Sequence, residues 1–295
     1  MLVSIIIPVH RTISYFKTCV ESALSQTYQD IEILLACNGA LEIEDCKFFI
    51  NSSDSRITYL KTKNGRHNAR NEALLIAQGR FVQFLDYDDF LYPNKLTVQL
   101  ELIKNNFDSH ISITKWKKFT IDINENYIFP YNLLFNEEYI STAKLIQKLG
   151  QSGGFIATSS WIVSRELLTG ILWVDSPNDD AVFFSEICKK KPNIFIIQEI
   201  LAGCRIHQDN TSTIRSKEQF NLLLKSWNQI YKNLQTIENS NVELYIYKAY
   251  LYLILYSRAI KKYRIWEVIY KSLLFGYKAG VGLSIFRDIK KQVFN

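Results

Sequence analysis

Apolar runs of strand length alternate with stretches of helical periodicity through the first hundred residues, and this alternation constrains the fold more than any other feature. Residues 2–9, 31–36, 57–60 and 81–85 read as strands, and residues 13–26 and 68–77 read as helices. The strands are apolar on both faces, the pattern of a parallel sheet covered by helices on each side. The expected class is α/β. Ligands of such sheets bind beyond the carboxyl ends of the strands, and three informative stretches sit at those ends: PVHR, CNGA and DYDD.

Strands are also expected at residues 111–114, 155–159 and 194–197, with helices near 141–149 and 180–190. From residue 216 the pattern becomes long, helical and rich in Leu, Ile and Tyr, without proline. This places a boundary near residue 215, between a domain over 1–215 and a helical region over 216–295. A chain of 295 residues with 47% hydrophobic content can bury a substantial core. Its five cysteines, at 19, 37, 46, 188 and 204, are scattered and form no C-x-x-C pair. Buried free thiols in a reducing compartment are expected, which points to the cytoplasm. The opening MLVSIIIPVHR carries no basic leader and reads as a strand, not a signal peptide. No stretch reaches the roughly 18 apolar residues of a membrane span. Neither G-x-G-x-x-G nor G-x-x-x-x-G-K-[ST] occurs, which disfavours dinucleotide and P-loop folds.

The formal charge of +6 is uneven. From residue 241 onward there are ten basic and three acidic residues, a net of +7, while the preceding part nets −1. Between residues 242 and 264, Leu244, Tyr247, Leu251 and Leu255 recur near helical spacing, with Lys248, Arg258, Lys261 and Lys262 toward another side. Two readings stay open: a solvated helix face, or peripheral attachment to an anionic membrane. No nucleic-acid motif accompanies the charge, so no nucleic-acid partner is expected.

The stretch FVQFLDYDDFLYP places Asp86, Asp88 and Asp89 within four positions. Their mutual repulsion is costly unless water, a cation or a basic partner offsets it. Paired carboxylates at a ligand edge suit Mg²⁺ or Mn²⁺, which commonly bridge protein to diphosphate. The pattern alone is weak, because Asp89 could simply cap a helix beginning near Pro93.

The ordered series VSIIIPVHR, CVESALSQTYQDIEILLACNGA, GRHNARNEALLIAQGRFVQFLDYDDFLYPNKL and SPNDDAVFFSEICKKKPNIFIIQEILAGCRIHQDNTST is more specific than any one motif. Across residues 1 to 215 the chain resembles a family 2 glycosyltransferase of the GT-A fold. The resemblance implies a Rossmann-like, mostly parallel sheet, a UDP-sugar donor and Mn²⁺ or Mg²⁺ as cofactor. Pro8, Val9 and His10 would border the nucleotide base. Asn38 stands where the family has an acidic residue, and still offers a donor and an acceptor to a uracil edge. Arg70 and Asn71 match the family's ARN and would contact base or phosphate. Asp86 and Asp88, with Tyr87 between them, match the D-x-D: Asp86 at the ribose or metal, Asp88 on the metal. Asp89 would orient its neighbours or cap the next helix.

Inverting transfer also needs a base for the acceptor hydroxyl. Asp179 and Asp180 match the family's ED dyad, with Asp180 expected as base and Asp179 as the second candidate. His207 would ligate the metal or donate to a phosphate oxygen, and Arg205 is a second phosphate candidate. Gly154 and Trp161 would lie beside the acceptor. The expected activity is transfer of a hexose (Gal, Glc or an N-acetylhexosamine) to a glycan or lipid-linked glycan of bacterial capsule, O-antigen or lipooligosaccharide. The expected location is the cytoplasm, peripheral to the inner face of the plasma membrane, with self-association left open. Two alternatives are a sugar-nucleotide nucleotidyltransferase, which PVHRTISYF disfavours for want of a Gly-rich basic loop, and a non-catalytic binding module.

Overall fold

The computed structural model describes residues 1–104, 110–207, 214–239 and 241–294. In chain order the elements are β1 (Val3–Val9), α1 (Ser14–Leu24), β2 (Ile31–Cys37), α2 (Ile43–Ile50), β3 (Ile57–Lys61), α3 (Arg66–Ile76) and β4 (Phe81–Phe84). There follow β5 (Phe90–Leu91), α4 (Lys95–Ile103), β6 (His110–Phe119), β7 (Tyr139–Ser141), α5 (Thr142–Ser152) and β8 (Trp161–Ser164). The chain continues through α6 (Asp179–Cys188), β9 (Asn193–Arg205), α7 (Lys217–Leu234), α8 (Val242–Ala259), α9 (Ile265–Lys278) and α10 (Ser284–Phe294).

The strands form one mixed sheet in the order β3-β2-β1-β4-β8-β6-β9-β5, with β7 also paired to β9. β1 runs parallel to β2 and β4, β2 to β3, and β6 to β9, while β8 enters antiparallel to both β4 and β6. Successive side chains on a strand face opposite ways. Val3, Ile5, Ile7 and Val9 therefore share one core with Phe16 and Val20 of α1, Cys46 of α2 and Leu96 and Leu100 of α4. On the alternate face α3 packs on β1 and β2 through the small residues Ala69 and Ala73. The apolar runs are continuous because both faces are covered.

Register fixes where polar groups emerge. Val9 lies opposite Cys37 and Ile6 opposite Phe84, so the carboxyl ends of β1, β2 and β4 share one edge. Beyond β4 the chain turns, with Asp89 N–H donating to the Asp86 carbonyl at 2.9 Å, and returns as β5 beside β9. Phe90 lies opposite Gly203, where a Cβ would come within 2.5 Å of Ile123 Cδ1 and 2.9 Å of Phe119 Cε1. Glycine at that position is what lets the aspartate turn and the end of β9 meet.

Two local expectations shift. The strand expected over 155–159 does not form there. Ser160 donates N–H and hydroxyl to the Ala157 carbonyl at 3.0 and 2.7 Å, a turn that hydroxyl side chains favour over extension. The strand begins only at Trp161. Asp89 does not cap α4, whose N-cap is Asn94.

Compact units divide the chain less simply than one cut near residue 215. One comprises Met1–Ile140, Ile156–Asp175 and Pro192–Gln208 and carries the sheet; the other comprises Ser141–Phe155, Ser176–Lys191 and Asp209–Asn295. In the second, α6 packs on α7 and α5 on α8. Gly150 permits the latter contact, since a Cβ there would stand 2.9 Å from the Tyr245 nitrogen.

Lys95 is fully buried in the sheet-bearing unit, its amino nitrogen donating to Gln83 Oε1 and, at 2.6 Å, to Gln99 Oε1. Burial holds its pKa well below the usual lysine value. A depressed lysine pKa means the unfolded chain binds the extra proton, so stability rises with pH up to the unfolded value of about 10.4. The stability of the wild type relative to Lys95→Met should therefore grow between pH 7.5 and 9.5, by up to about 1.4 kcal/mol per pH unit. Urea titrations of both proteins at the two pH values measure it, and a flat difference would count against a neutral Lys95.

Candidate active site

The three aspartates past β4 each meet a different partner. Arg70 on α3 donates to Asp86 Oδ1; the arginine is 2% exposed and the carboxylate 37%. The indole of Trp173 lies under the Arg70 guanidinium at 4.2 Å. Asn71 fixes that tryptophan from the next position, with Oδ1 accepting Trp173 N–H at 2.9 Å and Nδ2 donating to its carbonyl at 3.0 Å. The sequence expectation aimed Arg70 and Asn71 at the donor. Here Arg70 holds Asp86, and Asn71 pins the segment that backs Arg70.

Asp88 Oδ2 lies 2.7 Å from His207 Nε2. Burial first, and the charge of Asp86 second, raise the Asp88 pKa from its ordinary value, opposed by the His207 bond. Asp89 is fully enclosed, and burial, then Asp88 and Asp86, raise it well above that value. Its Oδ1 accepts the backbone N–H of Arg205 at 3.1 Å. Asp89 thus ties the turn to the end of β9.

Arg205 is buried and engaged within the fold. Its Nε donates to the Asp88 carbonyl at 3.2 Å and one terminal nitrogen to the Thr120 carbonyl at 2.9 Å. The guanidinium is held between the rings of Tyr15 and Phe119, at 4.2 and 4.4 Å. Tyr15, Phe119 and Trp173 belong to no motif, and only the fold brings them here.

At the neighbouring strand ends, Pro8 and Val9 are buried in β1 and His10 is exposed just beyond it. Asn38 follows β2 and donates through Nδ2 to the Val9 carbonyl at 3.0 Å, which commits its amide nitrogen to joining the two strand ends. Tyr87 bridges the loops: His10 meets its ring edge-on at 4.9 Å, and Arg11 Nε donates to its hydroxyl at 2.9 Å. Partial desolvation by the neighbouring loops, then Arg11 and Arg66, lower the His10 pKa from its ordinary value.

Asp179 and Asp180 open α6 in the second unit. Asp179 Oδ1 accepts Asp180 N–H at 3.0 Å, and Asp180 Oδ1 accepts Ala181 N–H at 2.8 Å, as carboxylates at a helix N-terminus do. Asp179 is buried and Asp180 half-buried. Gly154 is half-buried beyond the end of α5 in the same unit. Trp161 is 1% exposed and packs edge-on against Phe84 at 5.8 Å. It offers no face to a sugar, so the expected acceptor contact is replaced by core packing.

The family model described as Glycosyl transferase family 2 matches residues 4–172. The chain belongs to this family. It is a glycosyltransferase. A glycosyltransferase of Haemophilus influenzae, itself called uncharacterized, is 29% identical over 232 residues, spanning 76% of this chain and 88% of that one. The Escherichia coli protein WfaP, a UDP-Glc:alpha-D-GlcNAc-diphosphoundecaprenol beta-1,3-glucosyltransferase, is 39% identical over 105 residues, 35% of this chain and 41% of its own. Against an uncharacterized Rickettsia conorii glycosyltransferase, 34% identical over 153 residues, half of this chain spans only 25% of the relative. Staphylococcus aureus TarS 1-349, solved in complex with UDP-GlcNAc, matches with a TM-score of 0.61 at 14% identity, over 95% of this chain and 92% of that one. That likeness shows a shared GT-A fold.

The two bonds of Asn71 make a specific expectation. Asn71→Ala strands a backbone N–H and carbonyl of Trp173 and should destabilise the protein by about 2 kcal/mol. Chemical denaturation measures it. Unchanged stability with lost UDP affinity would return Asn71 to the donor.

Proposed function

We propose that the protein is an inverting, metal-dependent glycosyltransferase that moves a hexose from a UDP-sugar to a glycan acceptor of a bacterial surface polysaccharide. In a family 2 chain, the observation that carries this reading is the pair Asp86 and Asp88 at the carboxyl end of β4. Each is steadied by its own basic partner. The names of two similar proteins support the donor class, since WfaP uses UDP-Glc and the TarS fragment was solved with UDP-GlcNAc. WfaP's name also gives a lipid-diphosphate acceptor, the class we carry to this chain.

Among the described residues, no three His, Cys, Asp or Glu side chains form a ready-made metal cluster. That donor set nonetheless fits Mg²⁺ or Mn²⁺ serving a nucleotide, which uses one or two carboxylates and completes its shell with phosphate oxygens and water. Asp88 and Asp86 would hold it, with His207 as the imidazole donor beside Asp88. When bound, it supplies positive charge to the leaving diphosphate. Arg70 and Arg205 keep the two carboxylates and their turn in place.

The acceptor hydroxyl attacks the anomeric carbon as the bond from that carbon to the diphosphate oxygen breaks. The electron pair leaves with UDP, and the hydroxyl proton passes to a carboxylate, for which Asp180 is assigned because it is the more open of the dyad. His10 and Tyr87, at the ends of β1 and β4, border the donor, and Asn38 faces the base. Its neutral amide replaces the charge the family uses there, which leaves hydrogen bonding as its contribution.

Two measurements test the reading. UDP at a hundredfold excess over its Kd should stabilise the protein by about 2.7 kcal/mol in Mn²⁺, and Asp88→Ala should abolish that rise in melting temperature. Asp180→Asn should lower kcat by about 10²- to 10⁴-fold while the metal-dependent shift with UDP persists. Intact turnover in Asp180→Asn removes it as the base. Metal-dependent UDP binding by the wild type without hydrolysis or transfer favours a binding module.

A further inference from the structure

Among the described residues, no helix is long and apolar enough to cross a membrane. The second unit nevertheless shows water a concentration of large apolar side chains. On α9, Trp266 and Tyr277 are 80% and 82% exposed, and with Tyr270 they fall four and seven residues apart, on one side of the helix. Just before and along α10, Leu283, Phe286 and Phe294 are 85%, 63% and 75% exposed. Neither stripe is the helix's packing face. α9 buries Ile265, Val268 and Phe275, and α10 buries Ile285 and Ile289, with Ile285 set against Gly276 of α9. The two helices touch each other and α8.

Basic residues run through the exposed stripes. Lys290 follows Phe286 by four residues, which puts it on the same side of α10, with Arg287 and Lys291 adjoining. Lys278 succeeds Tyr277, and Lys261 and Lys262 precede α9, all exposed. Residues 260–294 carry eight basic and two acidic side chains. Of the acids, Glu267 pairs with Arg264 at 2.5 Å, and Asp288 accepts the Tyr247 hydroxyl at 3.0 Å. Aromatic and aliphatic groups interleaved with cations are the composition that sits at an anionic lipid interface: the rings enter the headgroup boundary and the lysines meet lipid charge. A second copy of this chain would meet the same cations and be repelled by them.

We propose that the outward stripes of α9 and α10 dock the protein, in the plane of the interface, onto an anionic phospholipid bilayer. The basic tail expected to meet a membrane runs from residue 241 to the end; in its first helix Tyr247 and Leu251 are buried while Leu255 is 39% exposed, and the larger exposed stripes lie on the two helices that follow. The proposal does not depend on which sugar is transferred.

The full-length protein is sedimented with vesicles of phosphatidylglycerol and phosphatidylcholine, and with phosphatidylcholine alone, at low and high salt. Binding is expected only to the anionic vesicles and should weaken with salt. Lys290→Glu with Lys291→Glu should weaken it about thirtyfold or more. Trp266→Ser with Phe286→Ser should weaken it by at least about tenfold. All variants should keep the wild-type thermal response to UDP, which separates loss of docking from any failure at the donor site. Absence of binding to anionic vesicles overturns the proposal. So does equal binding by wild type and both variants, or a wild-type dimer in light scattering that Trp266→Ser with Phe286→Ser dissolves while vesicles are ignored.

Discussion

Three carboxylates crowd into four residues at the end of β4, and much of the surrounding structure answers their repulsion. Two like charges 4 Å apart repel by about 1 kcal/mol in water, but by about 4 kcal/mol at the effective dielectric of a protein surface. Asp88 and Asp89 are drawn inward, where the cost is larger, and burial is the first cause of both raised pKa values. The offsets come from remote segments: Arg70 from α3 for Asp86, His207 from beyond β9 for Asp88, and the Arg205 backbone for Asp89. The turn can exist only if β9 returns beside β5, which Gly203 allows. The aspartates and the sheet topology therefore depend on each other.

This has a consequence for charge at the site. Arg70 and Arg205, which the motifs direct toward base or phosphate, are both engaged inside the protein. One lies against Trp173 and bonds Asp86; the other lies between Tyr15 and Phe119 and bonds backbone carbonyls. Planar guanidinium groups suit such stacked, multiply bonded positions better than lysine would. They hold the acidic turn in place from inside the fold, their charge engaged with Asp86 and with backbone carbonyls.

What was legible in the sequence follows from what is local. Strands β1, β2 and β4 were readable to within a residue or two, because burial on both faces leaves nearly unbroken apolar runs; β3, at the sheet edge and half-buried, was readable from its short ITYL run alone. The DYDD turn stood out because its charge ends such a run. Partners were not readable. Trp173 lies 103 positions from Arg70 and Tyr15 lies 190 from Arg205, in segments with no motif, and nothing short of the fold joins them. The same limit hid the approach of Cys37 and Cys46, both expected as buried thiols, whose sulfurs stand 2.9 Å apart. Trp161 failed for the opposite reason. Its aromatic character suits a sugar face and a core equally, and one residue of slip on a strand reverses which of the two it meets.

The C-terminal helices show the same ambiguity at the scale of whole elements. Periodicity in α8 signals that one side is buried, but it does not say whether protein or lipid buries it; the answer is protein, through Tyr247, Tyr250, Leu253 and Ile254. In α9 the buried Ile265 and Val268 alternate with the exposed Trp266 and Tyr270, so the helix is apolar nearly all round. A helix of that kind is ordinarily enclosed on every side. This one is enclosed on one side only, and its uncovered side lies in a region whose net charge runs opposite to that of the rest of the chain. Apolar side chains left over after a unit has packed cost free energy in water, while clustered lysines resist closing the same face against an identical copy. An anionic, apolar-centred interface satisfies both groups at once.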